Sequence, residues 1–133
     1  MNKVPDCFYR VSVKALIKNK ENKFLLFKQD NEYWDLPGGG LEFGEATHEG
    51  LKREVFEEAG LKITSVQEQP TYFYPLLDDE NKWVTNAVYE AEVENLEITP
   101  SHECIEAKYV DKYEAESFKL PNNVKCFLEL IPE

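Results

Sequence analysis

The chain has 133 residues, a formal net charge of −11 and 42% hydrophobic residues, so we predict a single globular domain over residues 1–133. No apolar run approaches the length that spans a bilayer, which excludes a membrane segment from the prediction. The acidic balance also argues against a nucleic-acid polymer as partner, because binding its backbone requires a basic surface.

The first residues and the cysteines both favour a cytoplasmic protein. The opening sequence, MNKVPDCFYR, lacks the apolar stretch of a secretory signal. Cys7, Cys104 and Cys126 are odd in number and form no CxxC pair. Scattered thiols of this kind are typical of a reducing compartment and not of a disulfide framework or a zinc site.

The first third of the chain predicts short β-strands separated by turns. Apolar residues of the first segment fall on alternate positions, namely Val11, Val13, Ala15 and Ile17. The predicted strands are residues 8–17, 23–28 and 33–36. Pro37 and the three glycines after it are expected to break regular structure.

Residues 47–59 predict an α-helix with two different faces. Thr47 is a suitable N-cap, and Gly60 suits the position after the last helical residue. An apolar residue recurs every fourth position and forms a stripe, made of Leu51, Val55 and Ala59. The acidic face is made of Glu54, Glu57 and Glu58. Because its centre lies about 100° around the helix from the stripe, the helix can pack on a sheet while presenting carboxylates to a cleft.

The second half of the chain continues the alternation of strands and helices. Strands are predicted at residues 62–67, 71–76, 83–93 and 107–110, with a hairpin turn at 78–81. A final helix is predicted at residues 122–131. Strands interleaved with two helices indicate the α/β class.

The acidic face predicts a metal site. Three carboxylates within about one helical turn repel each other. A divalent cation converts that repulsion into coordination, because hard cations take oxygen ligands. The alternative is a solvated helix face, which most glutamate-rich helices have.

Residues 39–61, GGLEFGEATHEGLKREVFEEAGL, match the signature of the Nudix hydrolases position by position. The matching residues are Gly39, Glu45, Arg53, Glu54, Val55, Glu57, Glu58, Gly60 and Leu61. The chain therefore resembles a MutT-like Nudix hydrolase. The resemblance implies an α/β/α sandwich in which a mixed β-sheet lies between helices. The residue pattern alone does not select that architecture within the α/β class.

The resemblance also implies the ligands of a magnesium site, with manganese as a substitute. The implied metal ligands are Glu54, Glu57 and Glu58, and Glu54 or a close neighbour would also accept a proton from the attacking water. A main-chain carbonyl of the glycine loop, at Gly39 or Gly38, would complete the set. The three glycines, Gly38, Gly39 and Gly40, let the main chain approach the metal and the substrate phosphates. A further carboxylate ligand from the later part of the fold is expected at Glu103 or Glu106, although either could be an ordinary surface acid.

Arg53 and Glu45 would hold the glycine loop and the helix together in such a protein, and so orient the metal ligands. The alternative for Arg53 is a surface ion pair.

Aromatic residues offer candidates for stacking on a nucleobase. Trp34 and Trp83 are assigned this substrate-binding role, and the alternative for both is a place in the core or on the sheet surface. Competing motifs fail, because the chain has neither a complete GxGxxG nor the GK[ST] of a P-loop.

The predicted function is metal-dependent hydrolysis of a nucleoside diphosphate linked to another moiety. The expected reaction converts a nucleoside triphosphate into a monophosphate and pyrophosphate, so the partner is a small nucleotide. ADP-ribose or a nucleotide sugar is the alternative substrate, and a messenger-RNA cap is disfavoured by the acidity. An alternative of another class is a nucleotide-sensing module without turnover. The sequence is compatible with a homodimer.

Overall fold

The computed structural model describes residues 6–133 and confirms the α/β class. The first five residues of the predicted domain lie outside this range. The strands are β1 (Arg10–Leu16), β2 (Phe24–Lys28), β3 (Trp34–Asp35), β4 (Gly38–Gly40), β5 (Ile63–Val66), β6 (Tyr72–Leu77), β7 (Trp83–Val93) and β8 (Glu106–Val110). The helices are α1 (Thr47–Ala59), α2 (Lys112–Ala115) and α3 (Asn122–Leu130). No helix of the described part is long and apolar enough to cross a membrane.

The larger sheet is mixed and has the strand order β4-β1-β7-β5, with β6 also paired to β7. Strand β1 runs parallel to β7 and antiparallel to β4. A smaller antiparallel sheet has the order β3-β2-β8. Strand β4 is therefore an edge strand of the larger sheet, and this edge faces the acidic residues described below.

Helices cover both faces of the larger sheet, because successive strand residues point to opposite sides. On one side α1 packs its buried stripe against odd-numbered residues of β1 and β7, namely Val13, Ala15, Ala87, Tyr89 and Ala91. On the other side α3 packs against even-numbered residues and β6, including Leu16, Val88, Tyr74 and Leu76. This arrangement confirms the predicted helix–sheet–helix sandwich.

Helix α1 spans the residues that the sequence predicts, and its stripe of Leu51, Val55 and Ala59 is completely buried. Gly60 follows it with a φ of 67°, the left-handed conformation that favours glycine. The predicted N-cap is wrong, since the first helical hydrogen bond runs from the Gly50 N–H to the Ala46 carbonyl, at 2.9 Å. Thr47 is already helical, and its hydroxyl accepts a hydrogen bond from Tyr89 at 3.1 Å.

Two further predictions need correction. The glycine segment is not irregular, because Gly38–Gly40 form strand β4 beside β1. The sequence analysis also overlooked α2, a four-residue helix whose N-cap Asp111 and Glu114 form a reciprocal capping box. Other strand and helix ends differ from the prediction by one or two residues.

Candidate metal centre

The buried stripe of α1 fixes the direction of its acidic face. Because Leu51, Val55 and Ala59 face the sheet, Glu54 and Glu58 point toward strand β4 and the loop before β8, whereas Glu57 contacts Arg53 of the same helix. Their side chains differ in burial. Glu58 is 6% exposed, Glu54 is 16% exposed and Glu57 is 55% exposed.

A carboxylate from elsewhere in the chain joins this face. Carboxylate oxygens of Glu54, Glu58 and Glu103 all lie within 4.8 Å of one another. Glu57 is not part of this group, and neither is Glu106, which is exposed on β8. Three oxygens at this separation suit a divalent cation, which takes hard oxygen ligands.

The loop that carries Glu103 is tied to the end of α1 through Ser101. The Ser101 hydroxyl donates to the Glu58 carbonyl at 2.6 Å and accepts a hydrogen bond from the Glu103 N–H at 3.1 Å. The Ser101 side chain therefore ties the main chain of Glu58 to that of Glu103, two residues of the acidic group.

Strand β4 presents main-chain groups to α1. Val11 and Ala15 make ladder hydrogen bonds with Leu41 and Pro37 respectively, so alternation places the Gly39 N–H and carbonyl on the β1 side. Main-chain groups of the two flanking glycines point the other way. The Gly38 N–H donates to Glu58 Oε1 at 2.8 Å, and the Gly40 carbonyl accepts from Arg53 Nη2 at 3.3 Å.

Gly39 has a separate steric role. A Cβ at this position would lie 2.6 Å from Oε2 of Glu54. The absence of a side chain therefore allows the Glu54 carboxylate to rest against the strand.

Arg53 joins several acids instead of forming one surface pair. Its guanidinium donates to Glu45 through Nε at 2.6 Å and through Nη2 at 2.9 Å, a two-pronged contact. Nη1 donates to Glu54 Oε1 at 3.2 Å and to Glu57 Oε2 at 3.1 Å. Hydrogen bonding to Arg53 lowers the pKa of Glu45 to about 2, and the same bond raises the pKa of Arg53.

The two carboxylates nearest the strand carry an electrostatic penalty. Burial raises the pKa of Glu54, although Arg53 opposes the rise. Burial raises the pKa of Glu58 still further, against the opposing effects of Lys14 and the Gly38 N–H. A bound cation would relieve this penalty, so the donor set suits a divalent cation in both its chemistry and its charge.

Lys14 and Asp35 lie beside the centre and were missed by the sequence analysis. Lys14 is 6% exposed, and its Nζ lies 3.3 Å from Asp35 Oδ2 and 3.1 Å from the Gly38 carbonyl oxygen. The available signal was a lysine among the apolar residues of the strand V-S-V-K-A-L-I. A lysine is almost never fully buried unless its charge is paired.

The two tryptophans assigned to the substrate lie outside the acidic group. Trp34 is 9% exposed and stacks on Phe118 with ring centroids 4.9 Å apart. Trp83 is 53% exposed at the start of β7, and its ring lies 6.1 Å from that of Tyr9. Trp34 therefore occupies the core position that the sequence analysis gave as its alternative, whereas Trp83 has an accessible ring.

Comparisons with known proteins give consistent relatives. Residues 8–131 match the NUDIX domain family. A MutT-like protein of Streptomyces ambofaciens is 38% identical over 56 residues, which is 41% of this chain and 36% of the relative. An RNA pyrophosphohydrolase of Hamiltonella defensa is 38% identical over 60 residues, which is 44% of this chain and 37% of the relative. These matched segments thus span little more than a third of the two curated relatives.

A solved structure is similar over nearly the whole chain. The crystal structure of a MutT protein from Methanosarcina mazei Go1 has a TM-score of 0.68 and 30% sequence identity. The match covers 95% of this chain and 94% of that one.

Proposed function

The chain belongs to the NUDIX domain family, and from that premise we propose that it is a magnesium-dependent hydrolase of nucleoside triphosphates. The products are a nucleoside monophosphate and pyrophosphate, formed when water adds across one phosphoanhydride bond. The observation that carries the proposal is that Glu103, from a loop remote in sequence, comes within 4.8 Å of Glu54 and Glu58 on α1.

Glu54, Glu58 and Glu103 would hold the metal ion, with the Gly38 carbonyl as the main-chain ligand. We prefer Gly38 to Gly39 because ladder alternation turns the Gly39 carbonyl toward β1. Glu57, whose carboxylate is more exposed and accepts a hydrogen bond from Arg53, is our candidate ligand for a second ion. When bound, Mg²⁺ neutralises phosphate charge and activates a water molecule.

Glu54 is our candidate for the proton acceptor. Its Oε1 accepts a hydrogen bond from Arg53, which leaves Oε2 beside Gly39 to accept the proton of the attacking water. Arg53 fixes this geometry by holding Glu45 and Glu54 with one planar group.

A triphosphate is favoured over a nucleic-acid end or a nucleotide sugar. The MutT structure that matches 95% of this chain supports a MutT-like hydrolase, for which the sequence analysis expects a nucleoside triphosphate as substrate. The name of the RNA pyrophosphohydrolase relative indicates an RNA substrate for that protein. The net charge of −11 on this chain disfavours contact with a phosphate backbone.

A substrate panel tests the reaction. Nucleoside triphosphates, ADP-ribose, a nucleotide sugar and a 5′-triphosphorylated oligonucleotide are each incubated with the protein and Mg²⁺, and products are separated by ion-exchange chromatography. We expect monophosphate and pyrophosphate from a nucleoside triphosphate. Tight nucleotide binding without product from any substrate would contradict the proposal and favour a sensing module.

Metal binding is tested separately by calorimetry and thermal unfolding. Mg²⁺ should raise the melting temperature of the unmodified protein, because a ligand that binds only the folded state stabilises it. The increase should be absent in Glu58→Gln and preserved in Glu49→Gln, a control on the exposed side of the same helix. Equal Mg²⁺ stabilisation of the two variants would remove Glu58 from the metal centre.

A further inference from the structure

Lys14 is a buried cation in the middle of β1, and the proposed reaction assigns no role to it. It is 6% exposed, between the completely buried Val13 and Ala15. Burying an ammonium group is costly unless it is paired and hydrogen-bonded. The contacts of this side chain therefore indicate why a lysine occupies the position.

All three hydrogen-bond acceptors of Lys14 belong to one segment, residues 35–38, which connects β3 to β4. Nζ lies 3.3 Å from Asp35 Oδ2, 3.5 Å from the Leu36 carbonyl oxygen and 3.1 Å from the Gly38 carbonyl oxygen. Next along the strand, the Ala15 N–H donates to the Pro37 carbonyl at 2.8 Å. Side-chain and main-chain bonds from β1 therefore hold four consecutive residues.

Gly38 connects this fastening to the acidic group. Its carbonyl accepts from Lys14, and its N–H donates to Glu58 Oε1 at 2.8 Å. A Cβ at Gly38 would lie 2.1 Å from the Val13 carbonyl oxygen. Because a side chain does not fit at this position, the placement of Gly38 depends on the groups that hydrogen-bond to its main chain.

The Lys14 side chain has a charged partner in this setting. The carboxylate of Asp35, whose side chain is 16% exposed, lies 3.3 Å from Nζ, so the buried ammonium group is one half of an ion pair.

We propose that Lys14 is a positioning residue whose ammonium group holds the segment 35–38 so that the Gly38 carbonyl and the Glu58 carboxylate meet at the metal centre. The inference rests on the proposed function, since it takes that centre to be a cation site. Lys14 acts through Gly38 and does not contact the substrate.

The test uses a charge-balanced double variant, Lys14→Met with Asp35→Asn. Removing both charges together leaves neither member of the Lys14–Asp35 pair buried without its counter-charge, so the protein is expected to fold. The amide oxygen that Asp35→Asn introduces can still accept the bonds that Asp35 Oδ1 receives from the Leu36 N–H and from Asn123. The Asp35→Asn single variant keeps the Lys14 contacts with both carbonyls. Lys18→Met is the matched control, because Lys18 is half-exposed and pairs with Glu90.

Mn²⁺ binding is measured by electron paramagnetic resonance of the free ion, without substrate. We expect the double variant to bind Mn²⁺ about 10- to 100-fold more weakly, the usual effect of losing a group that orients a ligand. Lys18→Met and Asp35→Asn should bind as the unmodified protein does. A loss confined to thermal stability, with unchanged Mn²⁺ affinity, would overturn the positioning role, as would an equal loss in Asp35→Asn alone. Absence of Mn²⁺ binding by the unmodified protein would instead overturn the proposed function, and this role with it.

Discussion

The two faces of α1 differ in what they contribute to the protein. The apolar face, Leu51, Val55 and Ala59, is completely buried against the sheet. The acidic face is graded from the buried Glu58 to the half-exposed Glu57, and it meets polar main-chain groups instead of apolar side chains. One face therefore holds the helix in place, and the other presents carboxylates, two of which, Glu54 and Glu58, have pKa values raised by burial. The comparison teaches that stability and chemistry can be altered separately within one helix.

The variant with the largest expected effect is Glu54→Gln on the acidic face, and it tests whether activity can be lost without a loss of stability. We expect turnover to fall about 10²- to 10⁴-fold, the range for loss of a general base. Stability should hold or rise, because burial disfavours the ionised Glu54. Steady-state kinetics and chemical denaturation check the two expectations, with Glu49→Gln as the control of the same type. Near-normal turnover would remove Glu54 from the reaction.

On the apolar face, Leu51→Ala should have the opposite profile. Deleting a completely buried leucine costs about 2–5 kcal/mol of unfolding free energy, since it leaves a cavity. The turnover of molecules that remain folded should change little. Urea denaturation measures the stability, and Phe56→Ala, at an exposed site on the same helix, serves as control. If Leu51→Ala lost activity while keeping its stability, the two faces would not be separable.

The variant Arg53→Lys tests the contacts that Arg53 of α1 makes with the glycine segment and with Glu45. A lysine keeps the charge but cannot reproduce the two-pronged contact with Glu45 while also reaching Glu54. Turnover should fall about 10- to 100-fold, as for loss of a group that orients metal ligands. Lys52→Arg, on the exposed neighbour, should behave as the unmodified protein. Full activity in Arg53→Lys would reduce Arg53 to a surface ion pair.

The smallest expected effect is on the pH dependence of stability. Arg53 lowers the pKa of Glu45 from 4.5 to about 2, so Glu45 binds protons more weakly in the folded than in the unfolded protein. Its contribution is therefore complete above the unfolded-state pKa and is lost as the pH falls toward about 2. Denaturation at a series of pH values should show a shallower acid loss in Glu45→Gln. Parallel curves for the two proteins would contradict this.

Much of α1 was predictable because its information is local. A period of 3.6 residues and the glycine at position 60 fix its extent and its buried stripe. The convergence of acids was only partly predictable. Sequence offered Glu103 and Glu106 equally, and the Ser101 turn, which brings Glu103 to the end of α1, has no periodic signature.

Strand β4 and the partners of Lys14 lay beyond sequence reasoning for a related reason. Three consecutive glycines carry no side-chain alternation, so nothing local indicates a strand. The partners of Lys14 lie more than 20 residues away and are mostly carbonyls, which every residue possesses. Tertiary contacts alone reveal such pairings.

Strand β4 is also the outer border of its sheet, a position that in many proteins invites another chain to add a strand. Here side chains of α1 bind one main-chain group of each flanking glycine, Glu58 at the Gly38 N–H and Arg53 at the Gly40 carbonyl. The side chains of the candidate site therefore leave fewer main-chain groups at this border free to pair with another strand.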